Sequence, residues 1–310
     1  MKNVFMRLRV QSEGVRFRAI VNGNEIERAP KGEECRSERP VNPYLVSGKN
    51  TMEIDFYPWS KAKSKLFKNE DAYVCVDLIA YDEGGLLGPD GCVVSSLRYG
   101  QSVVAGGLNI AGSKASGVYT FSDIEGNNSD AFDGAKYELG DVYINDGLPI
   151  SNAGNIYRDV SFATEFPAWK YLSSETMPQI ADMSDDEYYQ VLIPSLFKEY
   201  QKIHDALGVK DLDSIMPLFN ERNSEMDSAF YHEAGTYEGK LRASLESQFD
   251  TGMILADIDQ KYVEAIVSDN GKLAKLDEPY LIYFHDEEKS IFTGYDIWFR
   301  REDDKWIISR

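Results

Sequence analysis

VFMRLRVQSEGVRFRAIVNG, residues 4–23, carries the clearest strand signal in the chain. Val4, Met6, Leu8 and Val10 alternate with Phe5, Arg7 and Arg9. Beyond Ser12, Glu13 and Gly14, the residues Val15, Phe17, Ala19 and Val21 alternate with Arg16 and Arg18. Successive side chains of a strand point to opposite faces, so a period of two on both sides of a short turn predicts a hairpin with one buried face. Asn22-Gly23 predicts a second turn, because both residues tolerate a positive φ. The outward arginines Arg7, Arg9, Arg16 and Arg18 would form a basic stripe, which Glu53 and Asp55 neutralise if their strand lies alongside.

The same period continues downstream. Met52, Ile54 and Phe56 alternate with Glu53 and Asp55, and Val74, Val76, Leu78 and Ala80 lie in a nearly all-apolar run ending at Asp82. Residues 92–99, 117–122, 137–144 and 157–163 are further strand candidates. Many short strands, Gly-rich turns and no helical period predict an all-β sandwich for the N-terminal half. Within it, NPYLVSGKNTMEIDF, residues 42–56, resembles the segment by which carbohydrate-binding-type β-sandwiches enter a core strand. That resemblance spans one strand and its turn. If it extended to function, Trp59 or nearby tyrosines would stack on sugar rings.

Residues 149–183 are rich in Ser, Asn, Gly and Pro, with Phe166-Pro167-Ala168-Trp169 as a packed knot, and the boundary is expected near residue 175. This gives domains 1–175 and 176–310. Ser184-Asp185-Asp186-Glu187 is a capping box, flanked by Met183 and Tyr188 at the staple positions. Leu192, Leu196, Tyr200, Ile203 and Leu207 then recur at three- and four-residue steps, with Gly208 as the stop and Pro194 expected to kink or divide the helix. A second helix is predicted from Asp211, carrying Leu212, Ile215, Met216 and Phe219. A third runs from about Asn223, with Phe230, Ala234, Tyr237, Leu241, Leu245 and Phe249 on one face. Residues 257–267, 280–285, 291–301 and 305–309 read as antiparallel strands, so the C-terminal half is α+β.

Two of its stretches, KEYQKIHDALGVKDLDSIMPLF (residues 198–219) and YDIWFRREDDKWIISR (residues 295–310), resemble the SnoaL-like family. This is the cone-shaped α+β fold, helices packed on a curved antiparallel sheet, shared with nuclear transport factors and ketosteroid isomerases. The resemblance covers roughly residues 184–310. It implies either an isomerase or dehydratase, or one of the family's non-catalytic binding and dimerising modules. A cone pocket would be lined by Tyr283 and His285 from one strand and Asp296 and Trp298 from the next, since alternation lets each pair project together. No Asp-Tyr or His-Asp set of the catalytic members carries over by position, so no catalytic residue is assigned.

Other motifs fail on their chemistry. GLNIAGSK, residues 107–114, has the glycine spacing of a phosphate loop, but Ser113 precedes Lys114 where the motif needs Lys before the hydroxyl. The oxygen-rich residues 122–141 lack the one-three-five carboxylate spacing of a calcium loop and read as an exposed acidic loop. Lys61, Lys63, Lys65 and Lys68 beside Phe67 read as a solvated connection rather than a single-strand nucleic-acid site. His204 suits a helix C-terminus, and His232-Glu233 lacks a second histidine four residues on. Three histidines and scattered cysteines predict no metal site, and no nucleophile elbow or dinucleotide fingerprint is present, so no cofactor is expected.

Composition narrows the function classes. Of 310 residues, 43% are hydrophobic and 12% aromatic, which excludes wholesale disorder. No apolar run approaches the roughly 20 residues that span a bilayer. Cys35, Cys75 and Cys92 form no CxxC pair and leave an odd thiol, which predicts a reducing, cytoplasmic setting. A net charge of -19 argues against duplex nucleic acid and anionic membranes as partners. From residue 184 onward, 14 Lys and Arg face 27 Asp and Glu, so the C-terminal part holds most of that charge. The expected function is a non-catalytic acidic protein-binding protein, an immunity or inhibitor protein occluding a basic toxin or effector. Its contacts would come from Asp286, Glu287 and Glu288 and from Glu302, Asp303 and Asp304. Alternatives are a small-molecule-binding protein or enzyme using the cone pocket, and a carbohydrate-binding module.

Overall fold

Strand-forming segments fill the first half of the chain, in a computed structural model that describes residues 4–60, 65–66, 72–82, 91–99, 113–115, 119–121, 137–145, 154–162, 164–277 and 280–310. Lys61, Lys63, Phe67 and Lys68, the side chains of Trp59 and Lys65, and residues 107–112 and 122–136 lie outside the described residues. Two units divide the chain, Met1–Pro167 and Ala168–Arg310.

The first unit holds β1 (Val4–Glu13), β2 (Val15–Val21), β3 (Asn24–Ala29), β4 (Cys35–Pro40), β5 (Gly48–Ser60), β6 (Lys65–Leu66), β7 (Tyr73–Asp82), β8 (Cys92–Tyr99), β9 (Ser113–Ala115), β10 (Tyr119–Phe121), β11 (Tyr137–Asn145) and β12 (Gly154–Phe162). One antiparallel sheet runs β4-β1-β7-β8; another runs β11-β12-β5-β2-β3, with β6 paired to β5. The Phe56 ring of the second sheet stacks on Tyr99 of the first, centroids 4.3 Å apart. Leu8, Val10, Phe17, Ile54, Val76 and Leu78 are buried.

The hairpin expected from β1 and β2 does not form. Gly14, at φ 66, passes the chain from one sheet to the other, so β1 pairs with β4 and β7 while β2 pairs with β3 and β5. Alternation specifies which face of a strand is buried, not its neighbour. The arginine stripe is split accordingly: Arg7 and Arg9 reach Glu38 at 2.8 and 3.0 Å, while Arg18 pairs with Asp55 at 2.6 Å, as expected. The turn at Asn22 (φ 50) and Gly23 (φ 73) joins β2 to β3.

Two buried asparagines secure the entry into β5. Asn42 accepts from the Met6 amide at 2.6 Å and donates to the Val4 carbonyl at 3.1 Å. Asn50 accepts from the Val46 amide at 2.8 Å and donates back to the Val46 carbonyl at 2.9 Å. Paired side-chain amides thus satisfy backbone groups that the sheet ladder leaves open.

The second unit places helices before strands. A π-helical turn, Glu187–Leu192, leads into α1 (Ile193–Gly208), followed by α2 (Leu212–Ile215), α3 (Asn220–Ala229) and α4 (Thr236–Asp250). The capping box forms: the Ser184 amide donates to Glu187 at 2.9 Å, and the Glu187 amide to the Ser184 hydroxyl at 3.3 Å. Pro194 divides the helix as a wider turn ahead of α1, where the Ile193 amide donates to the Tyr188 carbonyl five residues back. The expected third helix is two. Its break carries Tyr231 at φ 56 and Gly235 at φ 86, conformations no helix interior accommodates.

Seven strands follow: β13 (Ile254–Leu255), β14 (Glu264–Val267), β15 (Ala274–Asp277), β16 (Ile282–Asp286), β17 (Ile291–Tyr295), β18 (Phe299–Glu302) and β19 (Lys305–Ile308). They form antiparallel sheets β13-β16-β17 and β14-β15-β18-β19. The run 291–301, read as one strand, is therefore β17 and β18 in different sheets. Of 257–267, only the end is strand. α1 buries Leu196, Tyr200, Ile203 and Leu207 in the core. Where β15 and β18 share a single pair, Ala274 with Phe299, the Tyr200 hydroxyl donates to the Ile297 carbonyl at 2.6 Å and accepts from the Leu276 amide at 3.3 Å.

Residues 168–175, expected at the end of the linker, pack within the second unit. The Arg310 guanidinium lies 5.4 Å from the Trp169 ring centroid and 4.5 Å from that of Tyr171, and it pairs with Glu225 at 2.5 Å. Among the described residues, no helix is long and apolar enough to cross a membrane.

Candidate functional site

Alternation along β16 sorts its side chains onto two faces. Ile282 and Phe284 enter the core, where Phe284 meets Phe249 of α4 with centroids 5.7 Å apart. Tyr283 and His285 therefore occupy the face turned away from that helix, with ring centroids 6.0 Å apart. His285 stands in register between Ile254 of β13 and Phe292 of β17. Directly opposed residues share a face. Ile254 and Phe292 are 60% and 61% exposed, so this row presents apolar surface to solvent. Tyr280 extends the row, its ring 6.4 Å from Phe292 and against Gly294, where a Cβ would collide with it. Among the described residues β17 pairs only with β16, so its other edge is open.

An acidic turn borders this row. Asp286 accepts from the Lys289 ammonium at 2.5 Å and from the Lys289 amide at 3.1 Å, and these bonds hold its pKa below the ordinary 3.8. Glu287 and Glu288 are exposed and have no ion pair among the described residues. The second acidic turn joins β18 to β19 through Asp303 and Asp304, both at positive φ. Glu302 pairs with Arg300 at 2.9 Å and Asp304 with Arg301 at 2.5 Å, leaving Asp303 without a partner among the described residues. Of six acidic residues read as contacts, three spend their charge within the fold. Glu287, Glu288 and Asp303 are uncommitted.

The four residues read as pocket lining fall into two pairs. Asp296 accepts from Lys275 at 2.8 Å and from the Trp298 indole at 3.1 Å, and the Lys275 ammonium sits 4.7 Å from the Trp298 ring centroid. Among the described residues, no hydrogen bond, ion pair or ring contact joins that pair to Tyr283 and His285. Ile297 and Phe299 enter the helix-facing core on either side of Trp298, so Trp298 faces the other way. His204 bonds the Ala256 carbonyl at 3.0 Å, and His232 meets Lys240 at 2.8 Å.

Sequence reasoning missed two buried ionic clusters. In the first unit, Asp77 accepts from the Ser96 hydroxyl, from Arg98 at 3.2 Å and from the Cys75 thiol at 3.5 Å. Burial and then the Asp77 carboxylate push the Cys75 thiol far above its ordinary pKa, so it is no thiolate nucleophile. In the second unit, Arg300 grips Glu221 and Arg310 grips Glu225, which also accepts the Lys170 amide at 2.7 Å. Register is the one signal for the first cluster, because Asp77 lies opposite Ser96 and Cys75 opposite Arg98. Among the described residues no three His, Cys, Asp or Glu side chains converge as a metal would require.

No protein-family model matches the chain, and no curated protein or solved structure matches it. The functional reading therefore rests on the geometry of these faces.

Proposed function

We propose that the chain is a non-catalytic binding protein whose acidic second unit occludes a basic protein, as an immunity or inhibitor protein does against a toxin or effector. The observation that carries this reading is the row of exposed Ile254 and Phe292 on either side of half-buried His285, on an open-edged sheet bordered by uncommitted Glu287 and Glu288. Apolar area supplies affinity, the carboxylates steer and select a cationic partner, and the free edge of β17 offers backbone groups for an added strand. A second copy is a poorer occupant, because it would present the same excess of Asp and Glu, like charge against like.

Helices preceding an antiparallel sheet support the SnoaL-like reading of the second unit, as one of that family's non-catalytic modules. Two antiparallel sheets meeting at Phe56 and Tyr99 support the sandwich reading of the first. Buried Asp77 and Glu225 and half-buried Glu221 are each held in an ion pair, and buried Asp227 accepts two backbone amides, which fits a scaffold better than acid–base chemistry.

Affinity capture from the native lysate tests the reading, with wild type, the pair Glu287→Lys and Glu288→Lys, and Phe292→Ser compared at low and high salt. One stoichiometric basic protein should elute at high salt, and each variant should bind it about tenfold more weakly or worse. Equal capture by wild type and all variants would overturn the assignment.

A further inference from the structure

A separate cleft of about 680 Å3 opens on the second unit, between the start of α1 and the β18–β19 hairpin. Its size falls in the roughly 300–1,000 Å3 range of small-molecule sites. Sequence reading did not single it out, and it shares no residue with the row at Phe292. Val191, Leu192 and Leu218 give it apolar walls, and Trp306 lies among them. The Trp306 indole nitrogen donates to the Ser195 hydroxyl at 3.1 Å, so its polar atom is satisfied within the fold, and the Arg301 guanidinium lies 5.8 Å from the ring centroid, leaving the rest of the half-buried ring for apolar contact. The π-helical turn supplies Val191 and Leu192, and such turns recur at functional sites. Val191 stays 56% exposed there, an apolar side chain at the mouth of a cleft.

The charges around this cleft decide what it would hold. Three carboxylates line it and each is spoken for: Glu187 accepts from the Ser184 amide and hydroxyl at 2.9 and 2.7 Å, Glu199 pairs with Lys202 at 2.6 Å, and Asp304 pairs with Arg301 at 2.5 Å. Lys198 and Lys305 also line it, and neither has an ion pair among the described residues. Glu187 keeps its charge, since its donors are neutral, yet Glu187, Glu199 and Asp304 face Lys198, Lys202, Arg301 and Lys305, so the lining is net positive in a chain of net charge -19.

We propose that the cleft is a binding site for a small amphipathic organic anion, an apolar body seated on Trp306 and Leu218 with its carboxylate or sulfonate facing Lys198 and Lys305. Anion and apolar body are both required: the lysines select the charge, and the walls supply the area. The site is independent of the basic partner proposed above.

Two fluorescent probes test it on the full chain: 8-anilinonaphthalene-1-sulfonate, an aromatic anion, and N-phenyl-1-naphthylamine, the same body without charge. The sulfonate should bind saturably at one site and more tightly than the amine. The double variant Lys198→Glu, Lys305→Glu should weaken the sulfonate about tenfold, less at high salt, and leave the neutral probe unchanged. Val191→Asp, on an exposed side chain, should weaken both probes, whereas Phe292→Ser should alter neither at this site. Far-UV circular dichroism and thermal midpoints confirm that each variant folds. Sulfonate binding that is absent, no tighter than that of the amine, or indifferent to the lysine variant overturns the proposal.

Discussion

Glu221 receives Arg300 through two hydrogen bonds, at 2.5 and 2.8 Å, and Lys170 adds a third at 3.1 Å. Burial by itself would raise the Glu221 pKa, but the hydrogen bonds from Arg300 and Lys170 outweigh it and hold the carboxyl below its ordinary 4.5. A carboxyl depressed in the folded state contributes stability that is present above the unfolded value and is lost as pH falls through the folded one. Urea unfolding of Glu221→Gln should therefore show a deficit of about 1–3 kcal/mol near neutral pH, because buried Arg300 loses its two-bond partner and keeps only exposed Glu302. The deficit should narrow as pH drops below 4.5, since protonation then disarms the wild-type pair as well. A deficit independent of pH would mean that shape, not charge, sets the role of Glu221. Residue-scale chemistry was legible only where it obeyed a sheet: Arg18 and Asp55 oppose each other across neighbouring strands, as their outward positions foretold. Glu221, Glu225 and Arg310 gave no such signal. Charged side chains read from sequence as solvated, and only a partner brought from far along the chain makes their burial tolerable.

At the scale of elements, the junction between α3 and α4 shows how a long-range cap overrides periodicity. Phe230, Ala234, Tyr237 and Leu241 keep helical phase through the break, so hydrophobic spacing alone predicts continuity. Instead the buried Asp227 carboxylate accepts the amides of Gly235 and Tyr237, both at 2.7 Å, and its carbonyl accepts the His232 amide at 2.8 Å. A side chain of α3 thereby satisfies donors at the start of α4, the work an N-cap residue does locally. Asp227→Ala should cost about 1–2 kcal/mol or more and accelerate amide exchange first at residues 235–239. Gly235→Ala tests the same junction differently. No described atom lies within 4 Å of the added carbon, so its cost of about 1 kcal/mol is that of positive φ. Exchange at the α4 start that stays at wild-type rates in Asp227→Ala would show that the cap is dispensable. The available sequence signal was Gly235, which a reading weighted toward apolar spacing passes over.

For the whole molecule, the division after Pro167 makes a prediction about fragments. Residues 168–310 should unfold cooperatively when expressed alone, because Trp169 and Tyr171 come with the Arg310 and Glu225 they pack on. Residues 176–310, cut at the boundary expected from composition, should be less stable by about 3 kcal/mol or more, with Arg310 stripped of its aromatic cover. Equal midpoints in denaturant would refute that account. Legible along the chain were the local periods, strands of period two before residue 167 and helices followed by strands after Ser184, together with the Asn22-Gly23 turn and the capping box. These depend on neighbours a few residues apart, and short-range spacing encodes them. Long-range packing sends β1 and β2 into different sheets, splits residues 291–301 between two, and breaks the third helix. It also decides which acidic residues stay uncommitted at the surface and which carboxylates lie in buried pairs. The physical reason is common to all of them: alternation tells a side chain which face to bury, whereas the partner on that face comes from a distant part of the chain, and its energy depends on geometry that spacing does not carry.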